Sequence, residues 1–210
     1  MQIKKDEVKN KIIDSATKLF LDKGYKNTSM KDIAIEAGLS TSNIYTYVKS
    51  KNKLFKDIVI DGYNAYYNFI ESISTDRVWQ DSNSWTIERE TYIFKRYVNM
   101  IYLYKDQLKI LFFKAQDSEF EDFLEDVFTK QYTRSFEVNT QAVGGLYNFL
   151  EKELPVYIVK NSTRMYLNIM LEGLKEDIGK DEMVSRLSEC VKFLFGGYNS
   201  YFTEEIKIKE

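Results

Sequence analysis

The chain contains no histidine at all and a single cysteine, Cys190. Together these absences remove histidine general-base catalysis, Cys–His dyads and ordinary zinc sites. No paired-carboxylate motif offers a substitute. No catalytic residue, metal or cofactor is therefore expected, and the chain does not read as an enzyme. One cysteine also excludes a disulfide framework within the chain and fits a reducing compartment. Proline occurs once and glycine nine times in 210 residues. So few breakers leave long periodic segments uninterrupted, which argues for an all-α protein of about nine helices. No apolar run approaches the ~18 residues that a membrane span needs. The opening residues, Met1 to Val8, carry no apolar core of a signal peptide, so the expected location is cytoplasmic and away from membranes.

What is present is a globular composition: 44% hydrophobic residues, with 16 Tyr and 14 Phe. The length allows one or two domains and a sizeable core. Net charge is −2, but it is unevenly spread. Residues 1–56 hold 12 Lys against 6 acidic residues, a charge of +6; the remainder holds 18 basic and 26 acidic residues, a charge of −8. That asymmetry suggests a basic module that meets a polyanion and an acidic body that does not.

The stretch from Thr28 to Leu54 reads as helix, tight turn, helix. Thr28 or Ser29 can cap the first helix. Met30, Ile33, Ala34 and Ala37 share one face of it, and Gly38 ends it in a left-handed turn. Ser40 can cap the second helix, with Ile44 and Val48 inward. The outward side shows Thr41, Ser42, Asn43, Tyr45, Thr46 and Tyr47. These side chains carry donors and acceptors and no acid, which suits the major groove of DNA.

The first helix is expected over residues 4–23, with Val8, Ile12, Ala16, Leu19 and Phe20 on its apolar stripe. Lys4, Lys5, Lys9 and Lys11 crowd its start, either for DNA phosphates or as a solvated face. Tyr25 is expected to pack over the next helix pair. Ser50 caps a long fourth helix. Lys49 and Lys51 supply attraction to phosphate, Lys51 from a helix start where lysines oppose the dipole.

Residues 75–84 read as a loop, with Trp79 as a core anchor or a lid. A helix is expected over Trp85 to Tyr104, interrupted by Lys105-Asp106-Gln107 and followed by a short one to Lys114. The acids from Asp117 to Asp126 read as helix capping by Ser118 and Glu121 rather than as a metal site. The next helix runs to about Leu150, bent or closely approached at Gly144-Gly145, and Pro155 opens the one after. In the last helix Val184, Leu187, Val191, Leu194 and Tyr198 form an a/d seam. Its partner lies within the chain or across a dimer. Gly173, Gly196 and Gly197 permit close helix approach.

The run Ile12…Ala16…Leu19-Phe20…Gly24-Tyr25…Thr28-Ser29-Met30…Asp32-Ile33-Ala34…Ala37-Gly38-Leu39-Ser40…Ile44-Tyr45…Tyr47…Ser50-Lys51…Leu54 resembles the N-terminal signature of the TetR family of transcriptional regulators. Two positions depart from it: Val48 stands where the family usually has Phe, and Asn52-Lys53 replaces an acidic pair. The resemblance implies a helix-turn-helix DNA-binding domain over residues 1–50 and a helical ligand-binding and dimerisation domain over residues 51–210. It implies a homodimer formed through the last two helices, about 156–178 and 181–202. Such a dimer is a repressor of a palindromic double-stranded operator, released by a small-molecule inducer. DNA contacts fall on Thr28, Ser29, Ser40, Thr41, Ser42, Asn43, Tyr45, Thr46, Tyr47, Lys49 and Lys51. Ligand walls fall on Tyr66, Tyr97, Met100, Phe113, Phe136, Tyr166 and Met170. These rings suit an apolar or aromatic inducer, a cationic one included. The alternative is a helical DNA-binding regulator whose C-terminal domain only dimerises.

Overall fold

The computed structural model describes residues 2–75, 87–141 and 156–203. Among them every regular element is an α-helix. In chain order these are α1 (Gln2–Lys23), α2 (Met30–Glu36), α3 (Thr41–Ile44), α4 (Lys51–Thr75), α5 (Ile87–Leu103), α6 (Lys105–Phe113), α7 (Phe123–Gln141), α8 (Val156–Lys175) and α9 (Lys180–Thr203). Contacts divide the chain into two compact units. One is residues 1–66 with 104–125, and the other is residues 67–103 with 126–210. That boundary by contact differs from the division at residue 50 expected from the sequence.

In the first unit the helical stripe of α1 is buried as its periodicity requires: Ile12, Ala16, Leu19 and Phe20 are all in the core. So are Met30, Ile33 and Ala34 of α2, Ile44 of α3, and Leu54, Phe55, Ile58 and Val59 of α4. Phe55 is the hub. Its ring stands edge-on to Phe20 at 5.0 Å and to Tyr25 at 4.8 Å, with Phe120 tilted at 6.1 Å. The Tyr25 ring thus packs against Phe20 of α1 and Phe55 of α4, whereas the sequence placed it over the α2–α3 pair. A fully buried Phe contributes roughly 1.5–3 kcal/mol of burial, so this aromatic cluster is a main source of cohesion for the unit.

In the second unit α9 packs on α5 and α8. Leu187, Cys190 and Val191 of α9 are buried, as are Met170 and Leu174 of α8. Hence the middle of the a/d seam is consumed inside the chain. Gly173 serves the same contact, since a Cβ there would sit 2.5 Å from the Met183 methyl. The exposed face of α9 is a different one, carrying Phe193, 71% exposed, with Gly196 and Gly197 open beside it.

Three local expectations are corrected. The break after α5 is the single residue Tyr104, at φ −115 and ψ 28, and Lys105 to Gln107 form the first turn of α6. Ser118 and Glu121 do not cap a helix, because α7 begins only at Phe123. The Ser118 hydroxyl instead accepts from the Phe120 N–H at 3.1 Å, and a Glu121 carboxylate oxygen accepts from the Asp117 N–H at 3.1 Å. The recognition segment is also tighter than a regular helix: α3 is four residues long, and Tyr45 to Tyr47 continue as turns. Among the described residues no group of His, Cys, Asp and Glu could hold a metal ion. Trp79, Gly144, Gly145 and Pro155 lie outside the described residues.

Candidate nucleic-acid interface

The scaffold of the candidate interface is set by caps. The Ser29 hydroxyl accepts from the Asp32 N–H at 3.1 Å, and the Asp32 carboxylate accepts from the Ser29 N–H at 2.8 Å. This reciprocal box starts α2 at Met30. The two bonds from Ser29, hydroxyl first and backbone N–H second, hold the Asp32 carboxyl below its usual range. Thr28 is not the cap. It is 2% exposed, and its hydroxyl donates to the Gly24 carbonyl at 2.8 Å. Its side chain is therefore turned inward, while Ser29 is exposed.

After α2 the chain turns at Gly38, whose φ of +66 is a left-handed conformation that a Cβ would strain. Ser40 then caps α3, its hydroxyl accepting from the Asn43 N–H at 3.2 Å. The Ser40 and Ser42 hydroxyls lie 3.1 Å apart. Ile44 and Val48 are buried, which fixes the rotation of the segment. Ser40, Thr41, Ser42, Asn43, Tyr45, Thr46 and Lys49 are consequently exposed, and Tyr47 is half-buried. The geometry brings these predicted contacts together on one polar surface.

Lys51 departs from its predicted role. Its ammonium donates to the Tyr25 carbonyl at 2.9 Å and to the Thr28 carbonyl at 3.0 Å. It also lies 4.0 Å from the centroid of the Tyr25 ring. Two of its three N–H donors therefore point into the protein. Burial draws its pKa below the ordinary lysine value, opposed by the Asp117 carboxylate. The neighbouring Asn52 accepts a hydrogen bond from the Tyr25 hydroxyl, and burial, then Glu119, raises the Tyr25 pKa and keeps it a donor. The Ser50 hydroxyl accepts from the Lys53 N–H at 3.2 Å and so caps α4 as expected. The Tyr25–Asn52 contact was not legible as such. The one signal was the replacement of an acidic pair by Asn52-Lys53.

The predicted ligand walls distribute as follows. Tyr66 and Phe113 belong to the first unit, and Tyr97, Met100, Tyr166 and Met170 to the second. Tyr66 and Met170 are 0% exposed. The Tyr66 ring is edge-on to Phe112 at 5.5 Å. Tyr97 pairs with Phe69 at 5.2 Å, and Tyr166 with Phe94 at 4.8 Å. Met100 and Phe113 are half-buried, and the Phe136 side chain lies outside the described residues. A cavity of about 590 Å³ lined by Asp14, Thr17, Lys18, Leu21, Asp22 and Asp106 contains none of the seven.

Residues 12–58 match the family model described as bacterial regulatory proteins, tetR family. A probable HTH-type transcriptional regulator, YttP, of Bacillus subtilis is 35% identical over 72 residues, covering 34% of this chain and 35% of that protein. IcaR of Staphylococcus epidermidis, a negative regulator of a biofilm operon, is 26% identical over 98 residues, covering 44% and 53%. The chain thus spans between about a third and a half of these relatives' length. Among solved structures, a TetR-family member from Streptomyces coelicolor is similar with a TM-score of 0.62 at 17% identity, covering 89% of this chain and 90% of that one. NalD of Pseudomonas aeruginosa, a secondary repressor of an efflux pump, gives 0.59 at 16%, covering 88% and 93%. At such identity the structures speak for the fold alone. The relatives are named as regulators of transcription and not as enzymes, and no described helix is long and apolar enough to cross a membrane. With the capped helix-turn-helix above, residues 12–58 carry the N-terminal module of the tetR family of bacterial regulatory proteins.

Proposed function

We propose that the chain is a repressor that binds a palindromic operator as a homodimer and is released by a small molecule. Residues 1–50 read the DNA, and residues 51–210 bind the inducer and dimerise. The observation that carries the DNA-binding part is the exposed, acid-free surface from Ser40 to Lys49, oriented by the buried Ile44 and Val48. Ser42, Asn43 and Thr46 lie nearest base edges, and Tyr47 and Thr41 meet phosphate. The surrounding lysines add sequence-independent attraction that weakens steeply with salt. A two-fold dimer sets two such surfaces ~34 Å apart, or somewhat more, which matches a palindrome.

Dimerisation through the last two helices is supported by the exposed Tyr157 and Phe193 on α8 and α9. The inducer is apolar or aromatic. A cationic inducer has less support, because several rings already carry the chain's own cations. Arg164 lies 4.2 Å from the Phe128 centroid, and Lys130 lies 4.9 Å from that of Tyr67.

The test is selection of duplexes from a random pool by the whole protein, followed by titration of the winners. Selected duplexes are expected to be palindromic and to bind two chains each. Tyr47→Ala is expected to weaken binding at least tenfold at unchanged folding, the scale of one lost hydrogen bond to a charged phosphate, roughly 1.5–3 kcal/mol. Unchanged binding by that variant rejects the assignment. A thermal-shift screen of apolar and aromatic compounds, scored by release from the selected duplex, tests the inducer. The absence of any releasing compound favours the reading in which the second domain only dimerises.

A further inference from the structure

We propose that residues 114–120, which join α6 to α7, are a strap that holds the helix-turn-helix scaffold in DNA-reading register. The proposal rests on the DNA-binding reading. Six contacts within the first unit carry it. The Tyr25 N–H donates to the Lys114 carbonyl at 2.8 Å. The Lys114 ammonium donates to the Asp22 carbonyl at 2.9 Å. Lys26 pairs with Asp117 at 3.2 Å, and Lys56 with Glu119 at 3.2 Å. The Phe120 ring packs against Phe55 at 6.1 Å and Tyr63 at 5.3 Å.

These contacts converge on Tyr25. The strap takes its N–H, Lys51 takes its carbonyl, and Asn52 takes its hydroxyl proton. Tyr25 stands between the end of α1 and the cap of α2, and Lys51 and Asn52 open α4. One residue therefore ties together the entry to α2 and the exit from the recognition segment, and the strap grips that residue from behind. A rotation of the recognition surface relative to α4 must break or strain this set.

The charges argue for register over attraction. Asp117 and Glu119 neutralise two lysines of a module whose partner is a polyanion, so they cost affinity for any DNA. Asp117 also sits at φ +64, a left-handed conformation that Asp and Asn adopt more readily than other residues with a Cβ. Acids placed there at a cost in attraction have a use other than attraction. Each ion pair is exposed and weak alone. The backbone bond and the Phe120 ring position the strap, and the pairs bias it.

The test compares the whole protein with the double variant D117N/E119Q, using a duplex selected by the wild type and a random duplex. Asparagine tolerates the left-handed conformation, so folding is retained, and a melting curve checks it. Removing two negative charges raises affinity for the random duplex. The strap predicts that the ratio of selected to random affinity nevertheless falls about fivefold, the scale of two exposed pairs acting together. An equal rise for both duplexes overturns it, since the acids are then only repulsive. Hydrogen exchange gives a second readout, because coupling is reciprocal. The selected duplex is expected to slow exchange at Tyr25 and at residues 114–120, and unchanged exchange there overturns the strap. If the wild type selects no duplex, the DNA-binding reading fails and the strap falls with it. If selection succeeds and the ratio holds, the strap alone fails.

Discussion

Replacing Lys51 by Met separates a clamp from a phosphate contact. Met keeps the length and apolar stem of lysine and removes the ammonium. The variant loses two charge-assisted bonds, to the Tyr25 and Thr28 carbonyls, and the contact with the Tyr25 ring. Hydrogen bonds to charged groups are worth roughly 1.5–3 kcal/mol each when protected, and an exposed cation–ring contact about 0.5–1 kcal/mol. Lys51 is only half-buried. Solvent screening therefore reduces the sum to about 2 kcal/mol. For a chain of this size that is a fall in Tm of roughly 4–8 °C, read by circular dichroism. A phosphate contact predicts the opposite pair of results: an unchanged Tm, and a salt dependence of DNA affinity shallower by about one counterion. A Tm within about 1 °C of wild type, together with that shallower dependence, refutes the clamp.

Ser29→Ala is expected to cost about 1 kcal/mol through the lost cap of α2. It is also expected to let the Asp32 carboxyl rise toward its ordinary value, since the Ser29 hydroxyl is the main cause of its depression. An NMR titration that finds Asp32 unmoved contradicts the box. Burial pushes the Cys190 thiol from 9.0 up to about 11. The folded state then keeps a proton that the unfolded chain has released, so this contribution is whole below pH 9.0 and is lost as pH rises to about 11. Urea midpoints of wild type should therefore fall more steeply over that window than those of Cys190→Ala, and parallel curves count against it.

Much of the helix-turn-helix was legible because its determinants are local. A glycine that alone accepts a left-handed turn, a serine before a helix and apolar residues at helical spacing act within a few residues of one another. Ser29, Gly38, Ser40, Ile44 and Ser50 hold the places that spacing assigns them. The ends of regular elements were less legible. α3 stops at Ile44 although its polar pattern runs to Tyr47, and beyond it the Thr46 and Tyr47 N–H groups donate three residues back, to the Asn43 and Ile44 carbonyls. Ser118 and Glu121 have the spacing of a capping box, but the apolar residue that orders the segment is Phe120, which pulls the chain out of helix.

The sequence by itself determined an all-helical chain, a basic module distinct from an acidic remainder, and the residues facing outward from the recognition segment. These follow from periodicity, from breakers and from summed charge, none of which needs a distant partner. Only the tertiary structure decided what Lys51 and Thr28 do. The lysine opening α4 meets carbonyls 23 and 26 residues earlier in the chain, and no local pattern encodes which acceptors a flexible ammonium will find. The same holds for α9, whose a/d seam reads alike for an internal or an external partner. Folding on α5 and α8 buries Leu187 and Val191 and leaves Phe193 outside.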